Sequence, residues 1–302
     1  MAASIPTISR KLSWIPPERG VPELPEVETV RRGLELQVGR FCIERVEVLR
    51  SRAVAAPKGD PLGFEAALAG CTLAGWRRRG KYLIAELERD GAAAGELGAH
   101  LRMTGQFQWL SAGEREACSH TRVRFHGADR ELRFVDVRSF GELWHVPLGT
   151  ATEQVITGLC RLGPEPFSPD FTASYLRQRL KGSSRPIKNA LLDQAMVAGA
   201  GNIYADESLF MAGIRPHTPA GRLSLSQLQT LRDALVEVLE QSIGAGGTTF
   251  SDFRDLTGTN GNYGGQAWVY RRGGQPCRRC GTELRRDTLG GRSSHWCPTC
   301  QS

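Results

Sequence analysis

Two stretches of the chain carry residue types that do chemistry only in particular arrangements. The first is Pro22-Glu23-Leu24-Pro25-Glu26-Val27-Glu28. A proline at a free N-terminus is a secondary amine. Terminal α-amines titrate near pH ~8, so a useful fraction is neutral at physiological pH. The positive end of a following helix favours that neutral form. Such an amine attacks electrophilic carbons and forms Schiff bases, with Glu23 beside it for proton transfer. The same residues also read as a proline-rich start of a helix with capping acids, and the stretch alone leaves both readings open. The chemistry requires Pro22 to lead the chain, because an internal proline nitrogen is an amide. Residues 1–21 are therefore expected to be absent from the working protein. Val21 would be the initiator if its codon is GTG. The alternative is cleavage of a transit-like segment, with Ser4, Ser9, Arg10, Lys11 and Ser13 and no acid before Glu18.

The second stretch is Cys277-x-x-Cys280, sixteen residues, then Cys297-x-x-Cys300. Four thiolates at that spacing fit tetrahedral zinc held by two knuckles, with no open position for catalysis. Residues 271–302 hold seven arginines against two acids, a basic finger of the kind that meets nucleic acid. Arg292 falls where the hairpin between the knuckles should project. The other cysteines, 42, 71, 118 and 160, are scattered singly, which argues against a disulfide framework.

Other candidates are weaker by themselves. Arg77-Arg78-Arg79-Gly80-Lys81 is either a solvated turn or a phosphate-facing edge with Lys81 aimed into a site. In His100-Leu101-Arg102-Met103-Thr104-Gly105, both His100 and Met103 also suit structural roles. Arg138 and Phe140 at a loop tip form either a wedge for DNA or a packed hairpin end. Gly199-Ala200-Gly201-Asn202 opens a helix whose exposed N–H groups suit a phosphate, with Arg185 and Lys188 nearby in sequence. Residues 257–265 read as a loop, either for recognition or as a plain connection.

The elements that must position these groups follow from periodicity. Val27, Val30 and Leu34 form a buried helical stripe that Gly39 should stop. A strand is expected at 40–50 and a short helix at 61–69. Strands follow at 71–76, 81–87, 97–103, 106–110, 120–126, 131–137 and 141–146, a β-sandwich pattern. In 121–126 the alternation gives a basic outer face of Arg122, Arg124 and His126. Leu162-Gly163-Pro164-Glu165-Pro166 is a stiff linker. Beyond it the period becomes helical at 172–181, 186–195, 202–212 and 224–243. At 302 residues the chain can hold two or more domains, and its net charge of +7 favours a polyanion partner. No apolar run approaches the roughly 18 residues of a membrane span.

In this order and spacing the motifs resemble those of formamidopyrimidine-DNA glycosylases, bacterial base-excision repair enzymes for oxidised purines. The resemblance spans residues 22–301. It implies an α+β multidomain fold: an N-terminal β-sandwich with flanking helices, a helix–two-turn–helix domain and a C-terminal four-cysteine zinc finger. The implied boundaries are an extension at 1–21, a catalytic domain at 22–160, a linker at 161–168, the helical domain at 169–265 and the finger at 266–302. It further implies that Pro22 attacks C1′ of the damaged nucleotide, that Glu23 handles protons, and that Lys81 and Arg292 grip phosphate and assist strand cleavage. His100, Arg185, Lys188 and Asn202 would hold backbone phosphates. Met103, Arg138 and Phe140 would fill the gap left by the extruded base. Glu26, Glu207 and Tyr263 would lie at the pocket, the last within the loop that closes over the base. The implied cofactor is one structural Zn²⁺, and the implied partner damaged double-stranded DNA, bound by a monomer in a bacterial cytoplasm, or in an organelle if the extension is a transit peptide. Ser139 and Val137 depart from the family pattern, which often has arginine and proline there. A relative resembling endonuclease VIII, specific for oxidised pyrimidines, and a silent DNA-binding protein with Pro22 blocked are the competing readings.

Overall fold

A computed structural model describes residues 21–114, 116–248 and 261–302. The 1–20 part of the extension and the 257–260 part of the expected loop lie outside these residues.

The first element, α1 (Leu24–Gly33), tightens its N-terminus with Pro25 and widens at its end into a π-helical turn, Leu34–Val38. Gly39, at φ 55°, ends it as the sequence implies. Next come β1 (Phe41–Cys42), β2 (Arg45–Val48), β3 (Val54–Ala56), α2 (Pro61–Leu68), β4 (Thr72–Arg79), β5 (Tyr82–Arg89), β6 (Ala92–His100), β7 (Gly105–Ser111), β8 (Thr121–His126), β9 (Arg130–Asp136) and β10 (Glu142–Val146). They form a six-stranded sheet, β1-β4-β5-β6-β10-β3, and a four-stranded sheet, β2-β8-β9-β7. The single strand expected at 40–50 is two: the chain turns inward at the fully buried Ile43 and crosses from one sheet to the other. The expected basic face of β8 is largely neutralised. Arg124 pairs with Glu131 at 2.7 Å and Glu47 at 2.9 Å, and Arg122 is buried.

After the short α3 (Thr152–Val155), the helical domain comprises α4 (Ala173–Leu180), α5 (Ile187–Leu191), α6 (Asn202–Met211) and α7 (Leu225–Gly244). The α5 helix stops four residues short of the expected 195. Asp193 draws the chain into a turn, its carboxylate accepting from Ala195 N at 3.0 Å. The chain ends in a hairpin of β11 (Arg285–Leu289) and β12 (Arg292–Trp296).

Two large apolar cores hold this together, one in the sandwich and one among the helices. Helix α1 joins them. Val27, Val30 and Leu34 lie in the sandwich core, whereas Leu24 belongs to the helical core. Burying each such side chain is worth roughly 1.5–3 kcal/mol. That placement fixes the segment before Leu24 at the junction between domains.

The linker is pinned at the same junction. Glu165 accepts from Gly80 N at 2.6 Å and pairs with Arg79 at 3.0 Å, and the Arg79 guanidinium also donates to the Gly163 carbonyl at 2.7 Å. Arg78 pairs with Glu28 at 3.2 Å, and Arg77 with Glu96 at 2.7 Å. The three arginines are therefore structural ties, whereas Lys81 has no such tie among the described residues.

Candidate active site and nucleic-acid interface

The segment leading into α1 lies against the turn that opens α6. Leu24 N donates to Gly199 O at 3.0 Å. The Glu23 carboxylate sits on the α6 N-terminus, accepting from Ile203 N at 3.0 Å and Tyr204 N at 3.5 Å. This approach needs glycine at 201, where a Cβ would fall 2.2 Å from the Glu23 carboxyl carbon. The helix end expected to take a phosphate is thus already occupied by a carboxylate of the chain itself.

A cavity of about 330 Å³ opens at this junction, with Val21, Glu23, Lys81, Asn202, Tyr270 and Arg292 among its lining residues. Lys81 comes from the β4–β5 turn, Asn202 from the first residue of α6, and Arg292 from the first residue of β12, just past the Gly290-Gly291 turn. The Asn202 Oδ1 is buried and has no partner among the described residues. Three domains each supply a wall.

The electrostatics are those of a proton-handling site. Burial pushes the Glu23 carboxyl up to about 7, and the neighbouring Glu26 adds to the rise against the pull of Lys81. Burial also lowers Lys81, with Arg292 acting in the same direction, while Glu23 and Glu26 hold it up. Glu26 is a buried hub. It accepts from Glu23 N at 2.9 Å, Tyr204 Oη at 2.7 Å and Thr248 N at 2.9 Å.

The raised Glu23 has a stability consequence. Its folded value of about 7 exceeds the ordinary 4.5, so between these pH values the unfolded chain binds fewer protons than the folded one. The stabilisation is complete below about pH 4.5 and is lost as pH rises through about 7. A Glu23→Gln chain should therefore melt above the parent at pH 8, by roughly 3 kcal/mol, and the gap should close at acid pH. Thermal melts between pH 4 and 9 check this. Equal melting at every pH would mean the carboxyl is not perturbed.

A second groove, about 670 Å³, adjoins Lys81 and includes His100, Arg102, Arg161 and Arg185 among its lining residues. Burial, Arg102 and Lys81 hold His100 down to about 3, so the ring is neutral. Its Nδ1 accepts from Arg102 N at 3.0 Å, leaving the Nε2 proton as a donor to a ligand. Arg185 pairs with Asp193 at 3.0 Å on the groove wall. Met103, Arg138 and Phe140 gather on the sandwich at the tips of two loops. Phe140 is exposed between two cations, Arg138 at 5.0 Å and Arg52 at 5.7 Å from the ring centre.

Three expected ligand-facing residues are placed otherwise. Lys188 is fully buried, so it cannot hold a backbone phosphate. Its ammonium pairs with Asp206 at 2.6 Å and donates to Ser293 O. Glu207 does not face the cavity, because its carboxylate is taken by the backbone N–H groups of Trp268, Val269 and Tyr270 at 2.7–2.9 Å. Tyr263 is packed into the helical core with its ring 5.9 Å from that of Tyr204. All three brace the site from behind.

Sequence reasoning missed Asp206, which docks the finger on α6. Besides Lys188, it accepts from His295 N at 2.9 Å and from Ser294 Oγ at 3.3 Å. The resemblance points to its neighbour Glu207, but nothing in the spacing links Asp206 to a residue 89 positions later. Tyr270, on the cavity wall, carried no signal either.

In the finger, the four cysteine sulfurs lie within 4.8 Å of one another. The Cys280–Cys297 and Cys277–Cys300 separations are 3.5 and 3.9 Å. A tetrahedron with metal–sulfur bonds of ~2.3 Å has edges of about 3.8 Å. Each knuckle also turns a backbone N–H onto a sulfur, Arg279 N to Cys277 and Cys300 N to Cys297, both at 3.4 Å. The donor set fits zinc.

Residues 21–143 match the formamidopyrimidine-DNA glycosylase N-terminal domain, residues 162–254 its H2TH domain, and residues 274–302 the zinc finger found in FPG and IleRS. The chain belongs to the formamidopyrimidine-DNA glycosylase family. It is 67% identical over 282 residues to the formamidopyrimidine-DNA glycosylase of Parasynechococcus marenigrum, covering 93% of this chain and 100% of the relative. The enzyme of that name from a Synechococcus is 62% identical, with 93% and 99% covered. Among solved structures, Lactococcus lactis Fpg bound to DNA containing an abasic site superposes with a TM-score of 0.82 at 35% identity, covering 93% of this chain and 99% of that one. The Thermus thermophilus protein gives 0.80 at 40% identity, with 93% and 98% covered. The chain is thus a DNA glycosylase and abasic-site lyase of base-excision repair, with one structural zinc.

Proposed function

We propose that this chain removes oxidised purines from duplex DNA and cuts the strand at the resulting site, using Pro22 as a free N-terminal amine. One observation carries the reading. Val21 and Glu23, the residues on either side of the buried Pro22, line a cavity at a junction of three domains whose other walls include Lys81, Asn202 and Arg292. The family match beginning at residue 21, one position ahead of Pro22, supports Pro22 as the first working residue.

A glycosidic carbon inside a duplex is out of reach, so the nucleotide must be flipped out, at a cost of a few kcal/mol. Met103, Arg138 and Phe140 offset that cost by filling the vacancy. The Pro22 nitrogen lone pair then forms a bond to C1′, the C1′–base bond breaks, and the base leaves with a proton relayed through Glu23. The nitrogen gives up its proton, the C1′–O4′ bond breaks with O4′ taking a proton, and the nitrogen lone pair closes an iminium at C1′, which acidifies C2′–H. Removal of that proton expels the 3′ phosphate, and a second elimination expels the 5′ phosphate. Lys81 and Arg292 neutralise the departing phosphates, and His100 and Arg185 hold the adjoining backbone. Water as nucleophile would release the base but leave the strand intact.

The second reading, an oxidised-pyrimidine enzyme, has one observation behind it. Lactococcus lactis Fpg, 35% identical to this chain, has been solved with DNA containing an oxidised pyrimidine. The three wedge residues favour purines, as in the family pattern. Cleavage of duplexes carrying 8-oxoguanine opposite C should exceed that of thymine-glycol duplexes. The reverse order would assign the pyrimidine specificity.

A further inference from the structure

The two loops that carry Met103 and Phe140 are separate in sequence, yet they are tied together beneath their tips. Asp136, the last residue of β9, is fully buried. Its Oδ1 accepts from the Thr104 hydroxyl and from Arg138 N at 3.2 Å, and its Oδ2 accepts from Gly141 N at 2.6 Å. Thr104 in turn accepts from Arg138 N at 3.0 Å. One carboxylate and one hydroxyl therefore close the second loop on itself and fasten it to the first. Outside them, Arg102 donates to the Glu142 carboxylate at 2.9 Å through Nε and 2.5 Å through Nη2, repeating the cross-tie at the other end of the same loops.

Both loops hold backbone that does not form unaided. Arg102 and Ser139 lie at φ 54° and 55°, the left-handed region that side chains disfavour by roughly 1–2 kcal/mol. Gly141 must lack a side chain, since a Cβ there would meet Phe134 at 2.6 Å. Conformations of this kind persist only where surrounding contacts over-determine them. At the tip, Phe140 and Val137 stay exposed.

We propose that Thr104 and Asp136 are positioning residues that lock Met103, Arg138 and Phe140 into one preformed wedge before DNA arrives. The proposal rests on the wedge role assigned above. Without the tie, the tips must be ordered during insertion, and that cost falls on the step that opens the duplex. A single-stranded abasic site needs no insertion, so its reaction with Pro22 is indifferent to the tie.

The test uses a chain beginning at Pro22 and compares Thr104→Val, Thr104→Ser and Met103→Ala. Thr104→Val is expected to slow single-turnover excision from an 8-oxoguanine duplex by roughly 10- to 100-fold, the range for misplaced positioning groups. Its borohydride trapping on a single-stranded abasic oligonucleotide should match the parent. Thr104→Ser, which keeps the hydroxyl, should restore the duplex rate. An equal loss on both substrates, or a Ser variant as slow as Val, would overturn the tie, since folding or methyl packing would then explain the effect. Met103→Ala reports on the wedge alone. If it leaves the duplex rate unchanged, the wedge assignment itself fails. If it slows the duplex reaction while Thr104→Val does not, only the tie fails.

Discussion

A Cys297→Ser chain is expected to lose zinc and to bind lesion duplexes at least about 100-fold more weakly, while its N-terminal domain stays folded. Cys297 is fully buried at the heart of the finger. Structural zinc sites of this kind supply on the order of 10–16 kcal/mol of folding energy in isolated fingers. Without the metal, the knuckles that frame the hairpin come undone, and Arg292 loses its place on the cavity wall. The docking of the hairpin on α6 through Asp206, His295 and Lys188 would be lost with it. Two or three charge-assisted contacts at roughly 1.5–3 kcal/mol each account for the expected loss. Metal analysis with a binding titration checks it. A zinc-free variant that binds as tightly as the parent would show that the finger does not organise the DNA surface.

The second large effect concerns Pro22. A chain that begins at Pro22 should form a borohydride-stable adduct with abasic DNA, and the same chain preceded by residues 1–21 should form none. The contrast is all or nothing because acylation removes the nitrogen lone pair from nucleophilic use. The half-buried Val21 also lies on the wall of the cavity proposed to take the sugar. A Pro22→Gly chain that also begins at residue 22 should keep part of the trapping through its primary amine. Adduct formation by the extended chain at the rate of the shorter one would remove Pro22 from the reaction.

Much of this was legible in the sequence where the physics is local. Periodicity placed α1, α4 and α7 within a residue or two, because each buries a stripe set by its own spacing, whereas α6 is buried all round from Ile203 to Phe210. The knuckle spacing gave the finger for the same reason. Lys81 and Arg292 were legible because turns present their residues outward. Contacts between distant segments were not legible. Lys188 looks like any surface lysine until Asp206 and the Ser293 carbonyl close around it. Glu207, inside α6, and Glu23, at the N-cap of α1, are both buried acids, yet one binds the backbone of residues 268–270 and the other lines the cavity. The α6 N-terminus had the right donors for a phosphate, and only the fold reveals that Glu23 takes them. The tie between Thr104 and Asp136 spans 32 residues and left no pattern at all.

The central claim is that the secondary amine of Pro22 makes the covalent bond to the sugar. It is tested most directly by digesting the borohydride-trapped complex of active protein with abasic DNA and weighing the peptide that carries the deoxyribose remnant. The expected peptide begins with Pro22 and is modified on its nitrogen. A remnant on the Lys81 side chain, or on a peptide that still holds residues ahead of Pro22, would contradict it.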